Sequence, residues 1–565
     1  MSKIQIVIAM SGFGERFRQA GYRVPKPLIE VEGKPIIGHV IDMFPGEEDI
    51  LFICNEDHLA HPDYRMAEII RAHCPSARIV GIPAHKRGPV HAVLQAMDLL
   101  DPARPVFMSY CDYTCYWDWR DFQDFVERTG CDGAIPAYRG FHPHTLGTTM
   151  YAYMREEGGW LVDIQEKAAY TDDRMNEYAS SGGHYYATAA LMADAFERTV
   201  AADLNYGGEY YASLSFKPML DDGCAVAVYE LQHFMQWGTP QDVAEYNQWS
   251  AVFKRLAEPH APPAAARGSV VMPMAGLGQR FAVEGYALTK PLIPVSGRPM
   301  VLQAMDDLPP STAQSFVLRA DMPGCADIRD TLAREYPASR AVTIPRVTEG
   351  QACTVLIGLD ALAAEGGAVP GPITVGACDC GTLRDASRLQ ALLDDEAVDV
   401  IVWVVRGHAA AIQRPHTWGW VHETGGRIDG VSVKKAPRAP ATDPAFTGIF
   451  TFRRERDLRA AIAALVARDG RVNGEFYLDS CIEDCIALGL DCRVFEVDAL
   501  LPWGTPNELR TFEYWQSCFH KWDAHPYRLE ADRRADPAAL PALRARYAAR
   551  PSPRPTAVAS LERLA

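Results

Sequence analysis

Two glycines, one arginine and one lysine stand at fixed spacing near the start of the chain, and the same set recurs 264 positions later. The two sets are Gly12, Gly14, Arg16 and Lys26, and Gly276, Gly278, Arg280 and Lys290. Glycines directly after a strand let backbone N–H groups approach and hold phosphate oxygens. A planar guanidinium and a flexible ammonium nearby suit a triphosphate whose departing pyrophosphate gains negative charge. These residue types therefore predict two sites for a nucleoside triphosphate.

The repeat extends beyond these residues. Residues 10–36 and 274–300 are identical at 14 of 27 positions, where average residue usage gives agreement at roughly one position in fifteen. The offset stays nearly constant across later matches, so whole domains were duplicated. The predicted organisation is a first domain over 1–255, an Ala/Pro-rich linker over 256–268, a second domain over 269–515, and a C-terminal extension over 516–565 that forms a short helix and then a mobile tail.

Short apolar runs alternate with amphipathic stretches of helical length. In the first copy the apolar runs are "IQIVIAM", "ILFIC" and "PVFMSYCD", and the amphipathic stretches are "PIIGHVIDMF" and "HAVLQAMDLL". This alternation indicates an α/β fold in which each domain has a mostly parallel sheet flanked by helices. Ligands of such folds bind at the carboxyl ends of the strands, which is where both glycine pairs stand.

Composition narrows the classes of partner. The chain has 565 residues, and its 56 Lys and Arg against 72 Asp and Glu give a net charge of −16. Because an acidic surface repels polyanions, we expect neither nucleic acid nor a membrane as partner. The N-terminus has no signal-peptide pattern and no run of 18 apolar residues occurs, so we expect a cytoplasmic protein. The spacing of the 14 cysteines matches no zinc site and predicts reduced, buried thiols.

The combination GxGxRF followed by KPLI.V.GKP resembles the opening motif of the sugar-1-phosphate nucleotidylyltransferases, the nucleotidyltransferase family that makes nucleotide sugars. The resemblance covers roughly residues 1–255 and 269–515, and it implies two tandem Rossmann-like nucleotidyltransferase domains. In this family the arginine and lysine of the motif are catalytic and its glycines bind the nucleotide. Relatives usually begin the motif with two adjacent glycines, and Ser11 and Ala275 replace the first of them, as in subgroups linked to capsule and surface-polysaccharide genes.

The resemblance also implies a base-recognition segment in each copy. Gly88 in "AHKRGPVHAVLQA" and Gly350 in "RVTEGQACTVLIG" occupy the position where backbone meets the base, so both are expected to bind the nucleotide. Pro89 removes a backbone donor in the first copy. The second copy is therefore closer to the family pattern.

Two aspartates close predicted strands, Asp112 in "VFMSYCDY" and Asp379 in "ITVGACDC". The resemblance implies that they bind magnesium, which prefers carboxylate and phosphate oxygens. Many relatives have a second metal-binding aspartate two residues before the glycine of "WGTP", where this chain has Gln236 and Pro502. Gln236 offers a neutral oxygen, but the Pro502 side chain has no ligand atom. We therefore expect one aspartate per magnesium ion, or a different second ligand.

Glu166 and Lys167 in "VDIQEKA" match the family's Glu-Lys pair, in which the carboxylate binds sugar hydroxyls and the lysine meets the sugar phosphate. The second copy reads "VSVKKAP", so Lys434 replaces the acid while Lys435 keeps the phosphate contact. The remaining acceptor-side candidates are glycines at matching positions of the two copies: Gly147, Gly182, Gly419 and Gly448.

The expected reaction is attack by a phosphate oxygen of the acceptor on the α-phosphorus of a nucleoside triphosphate, which releases pyrophosphate. The acceptor is a sugar 1-phosphate or a related phosphorylated polyol, and the product is an activated nucleotide sugar for surface polysaccharide synthesis. Because the acceptor phosphate is already a nucleophile, alignment and charge neutralisation carry the catalysis.

Three other functions are open at this point. They are a cytidylyltransferase acting on a non-sugar phosphate, a glycosyltransferase that uses a finished nucleotide sugar, and a half that senses nucleotide sugars without catalysis. The sequence also leaves open the base, the acceptor, whether both halves are active, and whether the chain forms a homo-oligomer.

Overall fold

The computed structural model describes residues 3–258, 265–363 and 369–548. The chain divides into two compact units, the first comprising Met1–Ser250, Ser517–His525 and Tyr547–Ala565, and the second comprising Ala251–Gln516 and Pro526–Arg546. Residues 259–264 of the predicted linker and the predicted tail from 549 onward lie outside the described residues.

The strands of the first unit alternate with helices along the chain. The strands are β1 (Gln5–Met10), β2 (Glu30–Val31), β3 (Lys34–Pro35), β4 (Ile50–Asn55), β5 (Arg78–Ile82), β6 (Val106–Tyr110), β7 (Tyr113–Tyr116), β8 (Gly133–Tyr138), β9 (Tyr153–Glu157), β10 (Trp160–Gln165), β11 (Tyr178–Ser180), β12 (Gly183–Tyr186), β13 (Val226–Glu230) and β14 (His233–Gln236). The helices in this part of the chain are α1 (Glu15–Gln19), α2 (Ile36–Asp42), α3 (Glu56–Ala60), α4 (Met66–His73), α5 (Pro89–Leu94), α6 (Trp119–Thr129), α7 (Ala189–Ala201), α8 (Phe216–Asp221) and α9 (Pro240–Ala257).

Ten of these strands form one sheet in the order β11-β9-β10-β13-β8-β12-β6-β1-β4-β5. Strand β1 pairs in parallel with β4, where Ile6 is opposite Ile50, and with β6, where Gln5 is opposite Val106. Almost every residue of β1 is buried, as expected for a strand that helices cover on both faces. The carboxyl end of β1 therefore opens directly into the glycine motif.

The second unit repeats this plan. Its strands are β15 (Ser269–Pro273), β16 (Pro294–Val295), β17 (Arg298–Pro299), β18 (Ala313–Arg319), β19 (Arg340–Ile344), β20 (Ile373–Val375), β21 (Cys380–Leu383), β22 (Val400–Val405), β23 (Gly419–Thr424), β24 (Arg427–Val433), β25 (Ala445–Phe452), β26 (Cys492–Glu496) and β27 (Ala499–Pro502). The helices in this part of the chain are α10 (Gln279–Val283), α11 (Met300–Asp306), α12 (Cys325–Glu335), α13 (Gln351–Ala363), α14 (Ala386–Asp394), α15 (Ala409–Gln413), α16 (Glu455–Ala467), α17 (Leu478–Ala487), α18 (Pro506–Lys521) and α19 (Leu540–Tyr547).

Nine of these strands form a sheet in the order β19-β18-β15-β20-β25-β22-β26-β24-β23. Strand β15 lies between β18 and β20 and is parallel to both, which is the place of β1 in the first unit. The predicted α/β class is confirmed. Each sheet has a parallel block next to β1 or β15 and antiparallel strands farther along.

A separate two-stranded ladder follows the strand-tip aspartate in each unit. In the first, β7 pairs with β14 and places Tyr113 opposite Gln236. In the second, β21 pairs with β27 and places Cys380 opposite Pro502. These ladders bring each "WGTP" segment beside the aspartate that ends the preceding strand.

Two predictions from composition can be compared with the structure. In the described part of the chain all cysteines are free thiols, and each is buried or partly buried, as predicted. No helix among the described residues has the length and apolar character needed to cross a bilayer.

Candidate functional site

The two glycine loops have the same backbone conformation. Gly14 and Gly278 cap helices α1 and α10 with a φ of 63° each, a conformation that glycine adopts without a Cβ penalty. A Cβ on Gly12 or Gly276 would meet nothing within 4 Å. The loops therefore leave open space above the backbone at the carboxyl ends of β1 and β15.

The motif lysine and the strand-tip aspartate form an ion pair in both units. Lys26 Nζ lies 2.7 Å from Asp112 Oδ2, and Lys290 Nζ lies 2.5 Å from Asp379 Oδ2. These four side chains keep between 21% and 31% of their surface exposed. The ion pairs are therefore accessible to a small ligand.

The electrostatics of these pairs keep the groups charged. Burial opposes the charge of Lys26, but the Asp112 carboxylate outweighs it and raises the pKa of Lys26 above its usual value. The pKa of Lys290 is raised in the same way by Asp379. Burial would raise the pKa of Asp379, but Lys290 outweighs burial and holds it below the usual range. A lysine ammonium therefore lies beside an aspartate at each glycine loop.

The motif arginines lie near the same pairs. Arg16 and Arg280 are exposed, and across residues 3–258, 265–363 and 369–548 neither guanidinium has a hydrogen-bond or ion-pair partner. Arg16 is close enough to Lys26 to oppose its charge, and Arg280 helps to lower the pKa of Asp379. Each unit therefore offers an unpaired guanidinium beside its ion pair.

The "WGTP" segments are hydrogen-bonded to the backbone of the two aspartates. The backbone N–H of Trp237 donates to Asp112 O at 2.7 Å, and that of Trp503 donates to Asp379 O at 2.8 Å. A Cβ on Gly238 would lie 3.2 Å from Asp112 Oδ2, and a Cβ on Gly504 would lie 2.8 Å from Asp379 Oδ2. Glycine at these positions leaves room for the carboxylates.

A second acid lies near Asp112. Thr239 N donates to Asp242 Oδ2 at 2.7 Å and Asp242 N donates to Thr239 Oγ1 at 3.1 Å, which is a capping box at the start of α9. Gln236 Nε2 donates to Asp242 Oδ1 at 2.6 Å. Gln236 Oε1 is buried and has no hydrogen-bond partner among the described residues. Asp242 therefore orients the Gln236 amide and leaves its oxygen unsatisfied.

Glu508 is the counterpart of Asp242 in the second unit. Its Oε2 lies 3.3 Å from the position of a Cβ on Gly504, which is also close to Asp379. Burial and then Asp379 raise the pKa of Glu508, and burial raises the pKa of Asp242, with Asp112 adding to it. Neither acid is among the residues predicted from the sequence. The signal was the Thr-x-x-acid spacing of "TPQD" and "TPNE", which is typical of a capping box.

The site residues can be tested for magnesium by their donor chemistry. Magnesium prefers oxygen ligands and usually combines one or two carboxylates with substrate phosphates. The first unit offers the Asp112 carboxylate and the unsatisfied Gln236 oxygen, and the second offers Asp379 with Glu508 nearby. In the part of the chain that the structure describes, no group of three or more His, Cys, Asp or Glu residues could hold a metal ion by itself. The donors fit an ion that is also held by phosphate.

The predicted base-recognition glycines pack against a loop. A Cβ on Gly88 would lie 2.6 Å from Tyr210 N, and a Cβ on Gly350 would lie 2.4 Å from Phe476 N. Tyr210 N donates to the carbonyl of Arg87 at 2.9 Å. Backbone packing therefore requires glycine at both positions, with or without a nucleotide.

The acceptor side of the first unit contains a hydrogen-bonded acid and a lysine. Ser213 Oγ donates to Glu166 Oε2 at 2.6 Å, and Lys167 Nζ donates to Tyr211 OH at 2.7 Å. Tyr211 OH in turn donates to Glu209 Oε2 at 2.7 Å. Burial raises the pKa of Glu166. The predicted Glu-Lys pair thus lies within a network that also includes Ser213 and Tyr211.

The second unit places a different lysine at this position. Lys434 has a φ of 58° and Lys167 a φ of 53°, and each backbone N–H donates at 3.0 Å, to Trp418 O and Tyr151 O respectively. Lys435 is exposed. The backbone therefore aligns Lys434, not Lys435, with Lys167. Val433 then has the position that Glu166 has in the first unit.

A carboxylate nevertheless lies beside Gly419, one of the residues predicted to bind the acceptor in the second unit. Asp479 follows "GEFY" at the position where Ser213 follows "GEYY", in the first turn of α17. A Cβ on Gly419 would lie 2.6 Å from Asp479 Oδ2. Burial raises the pKa of Asp479 to about 6, and Lys434 opposes that rise. Asp479 is not among the residues predicted from the sequence, because the match between "GEYY" and "GEFY" ends at Tyr477.

The other acceptor-side glycines have local reasons to be glycine. Gly182 and Gly448 have φ values of 95° and 84°, in the left-handed region that other residues rarely adopt. A Cβ on Gly182 would also lie 2.7 Å from the Tyr110 ring. Gly147 ends the turn over Pro143–Leu146, and its added Cβ would lie 3.4 Å from His144 O.

Known proteins resemble parts of this chain. Residues 6–167 match the model of the MobA-like NTP transferase domain. The mannose-1-phosphate guanylyltransferase catalytic subunit beta of Dictyostelium discoideum is 25% identical over 182 residues, which are 31% of this chain and 48% of that protein. The bifunctional protein GlmU of Enterococcus faecalis is 23% identical over 261 residues, which are 45% of this chain and 53% of that protein. Parts of this chain are therefore similar to sugar-phosphate nucleotidyltransferases.

Two further comparisons give similar partial matches. GlmU of Burkholderia thailandensis is 32% identical over 211 residues, which are 37% of this chain and 43% of that protein. The chain spans about half the length of the curated relatives it matches. Among solved structures, the nucleoside-diphosphate-sugar pyrophosphorylase of Vibrio cholerae has 23% identity and a TM-score of 0.36, covering 43% of this chain and 98% of that one.

Proposed function

We propose that this protein is a nucleotidyltransferase that moves a nucleotidyl group from a nucleoside triphosphate to the phosphate of a sugar 1-phosphate, or of a related phosphorylated polyol, and releases pyrophosphate. The observation that carries the proposal is the ion pair between the motif lysine and the strand-tip aspartate, which both units repeat. It joins a phosphate-binding cation to a carboxylate suited to magnesium beside an open glycine loop.

The phosphate side acts by neutralising charge. The loop after β1 presents backbone N–H groups to the triphosphate, and Arg16 and Lys26 take up the charge that develops on the departing pyrophosphate. Arg280 and Lys290 do the same in the second unit. Because the ammonium groups remain protonated beside their aspartates, their charge is available throughout the neutral pH range.

Magnesium, when bound, supplies Lewis-acid polarisation of the phosphates and helps to align them. Asp112 would hold it in the first unit with the Gln236 oxygen, and Asp379 would hold it in the second with help from Glu508. Asp242 keeps the Gln236 amide turned so that its nitrogen faces the carboxylate and its oxygen remains free.

The acceptor side selects the phosphorylated substrate. In the first unit Lys167 binds the acceptor phosphate and Glu166 accepts hydrogen bonds from its hydroxyl groups. In the second unit Lys434 and Asp479 have these roles. The carboxylate has a different place relative to the lysine in the two units, which supports a different acceptor for each unit. The names of the curated relatives, one of which is a mannose-1-phosphate guanylyltransferase, support a sugar 1-phosphate. We infer that the product feeds surface polysaccharide synthesis in the cytoplasm.

The test is pyrophosphate release with magnesium across the four nucleoside triphosphates and a panel of phosphorylated sugars and polyols. The full chain is compared with Asp112→Ala, Asp379→Ala and the double variant. Two active units predict that each single variant loses release for its own acceptor only. One active unit predicts that a single variant abolishes all release.

The panel also separates the competing functions. Release confined to cytidine triphosphate and polyol phosphates would identify a non-sugar cytidylyltransferase. If no pair releases pyrophosphate while finished nucleotide sugars bind, the transfer proposal is wrong, and a glycosyltransferase or a sensor takes its place.

A further inference from the structure

A cavity lined by residues of the second unit lies away from the glycine loop of that unit. It has a volume of about 960 Å³, at the upper end of the size of small-molecule sites, roughly 300–1,000 Å³. Ser269 and Val270 line it at the amino end of β15, and Pro372 and Thr374 line it around the start of β20. Gly276 follows the opposite, carboxyl end of β15. The cavity is therefore distinct from the proposed triphosphate site.

Arginines dominate the polar lining of this cavity. They are Arg255, Arg267, Arg384, Arg388, Arg533 and Arg534. The acidic residues in the lining are Glu258, Asp306, Asp307, Asp385 and Asp498. The charge that a ligand meets therefore depends on which arginines these acids already neutralise.

Most of the acids have partners. Asp498 accepts hydrogen bonds from Arg255 and Arg388, and Asp307 pairs with Arg534 at 2.5 Å. Asp306 pairs with Arg298, which lies outside the lining. Asp385 caps the first turn of α14. Most of the acids that line the cavity therefore already have hydrogen-bond or ion-pair partners within the protein.

The positive charges of Arg384 and Arg533 are not neutralised by an ion pair within the described residues. Neither has a carboxylate partner within the described residues, since Arg384 donates only to the carbonyl of Asp307 and faces the Trp403 ring. Burial lowers the pKa of Arg384, and Arg534 and Arg533 lower it further against the effect of Asp307. The positive charges at this end of the cavity therefore repel one another.

Buried donors at the same end are unsatisfied. The Arg534 side chain is only 4% exposed, and its Nε and Nη1, like Nε of Arg384 and Oγ1 of Thr382, have no hydrogen-bond partner among the described residues. Leaving such donors unpaired costs free energy, most of all when they are charged. An anion would satisfy both the charge and the donors.

We propose that this cavity binds an organic phosphate. Guanidinium groups match the geometry of phosphate oxygens, and part of the cavity wall is apolar, with Leu308, Leu389, Leu393 and Pro310 among its residues. A phosphoryl group at Arg384 and Arg533 with its carbon skeleton on this wall uses both surfaces.

The test is calorimetric titration of the full chain in EDTA with three separate titrants: inorganic pyrophosphate, a sugar 1-phosphate and a nucleoside triphosphate. The variant is Arg533→Ala, because this side chain is exposed and its loss should leave folding intact. Arg329→Ala on α12 is the matched control, since it is also exposed and removes the same charge. Arg384→Gln provides a second, buried variant.

We expect one of the organic titrants to bind with an affinity that falls about tenfold in Arg533→Ala and is unchanged in Arg329→Ala. The same binding must persist in a Lys26→Ala, Lys290→Ala double variant, which separates this cavity from the proposed catalytic sites. Affinities unchanged in both Arg533→Ala and Arg384→Gln would overturn the proposal. A preference for pyrophosphate alone would also overturn it, because the apolar wall would then have no role.

Discussion

In the first unit the carboxylate of the proposed acceptor side is Glu166, just past the end of β10, whereas in the second it is Asp479, in the first turn of α17. The lysine differs less, because Lys167 and Lys434 share a left-handed backbone conformation and the same kind of backbone hydrogen bond. On the phosphate side the two units have the same ion pair. The ion pair proposed to face the triphosphate is thus the same in the two units, whereas the carboxylate proposed to face the acceptor comes from different elements.

The residues proposed to hold magnesium differ between the two units to an intermediate degree. The first unit presents a neutral oxygen from Gln236, held by Asp242, while the second has Pro502 at that position and the longer side chain of Glu508 nearby. A glutamate reaches about one methylene farther than an aspartate. The difference indicates that a similar requirement for oxygen donors is met by different residues.

The largest expected effect tests the shared side. Lys26→Ala and Lys290→Ala should each lower pyrophosphate release by the affected unit about 10²- to 10³-fold, because each removes a charge that stabilises the departing pyrophosphate. Initial rates are measured with the other unit silenced by Asp379→Ala or Asp112→Ala. Lys3→Ala, an exposed change of the same type, is the control. Similar rates for Lys26→Ala and Lys3→Ala would show that the ion pair has no catalytic role.

The next largest effect tests the two carboxylates that differ between the units, Glu166 and Asp479. Glu166→Gln should raise the acceptor KM of the first unit about tenfold and leave the second unchanged, and Asp479→Asn should do the reverse, because a charged hydrogen bond is lost in each. The KM for the nucleoside triphosphate should not move. A change in the triphosphate KM instead would place these acids outside the acceptor site.

The lysine alignment gives a matched pair in the second unit. Lys434→Ala should raise the acceptor KM about tenfold, whereas Lys435→Ala should have little effect, because only Lys434 has the backbone position of Lys167. The measurement is the acceptor KM in an Asp112→Ala background. The opposite result would restore Lys435 as the phosphate contact.

The buried carboxylate of Asp479 should also cost stability. Its pKa is about 6 when folded, against 3.8 as the reference value, so the unfolded chain ionises more easily than the folded one. Asp479→Asn should therefore increase the free energy of unfolding by up to about 3 kcal/mol at pH 7.5. The gain should shrink as pH falls below 6 and vanish below about pH 4, where both states are protonated.

This stability difference is measured by urea unfolding at several pH values. Asp330→Asn, an exposed change on α12, is the control and should leave stability nearly unchanged at every pH. A destabilised Asp479→Asn at pH 7.5 would mean that the carboxylate is well satisfied in the folded protein, and so unavailable to an acceptor.

The smallest expected effect compares the two "WGTP" glycines. Gly504→Ala should lower release by the second unit about tenfold, and Gly238→Ala should lower release by the first about threefold, because the added Cβ lies 2.8 Å from one aspartate oxygen and 3.2 Å from the other. Rates are compared at saturating magnesium and at limiting magnesium. Equal losses would show that the closer approach in the second unit has no consequence.

The sequence alone determined the phosphate side of both sites. The glycines, arginine and lysine stand within 15 residues of one another after a strand, so local spacing and the rule for strand ends place them together. The strand-tip aspartates follow from the same rule, because neighbouring parallel strands end at the same edge of the sheet.

Only the tertiary structure decided the rest. Whether Lys434 or Lys435 occupies the position of Lys167 depends on the register of β23 against β24, and a shift of one residue reverses the answer. Asp479 lies beside Gly419, which is 60 positions earlier in the chain, and the cavity arginines come from segments more than 200 residues apart. Such contacts depend on how strands and helices pack, which spacing along the chain does not record.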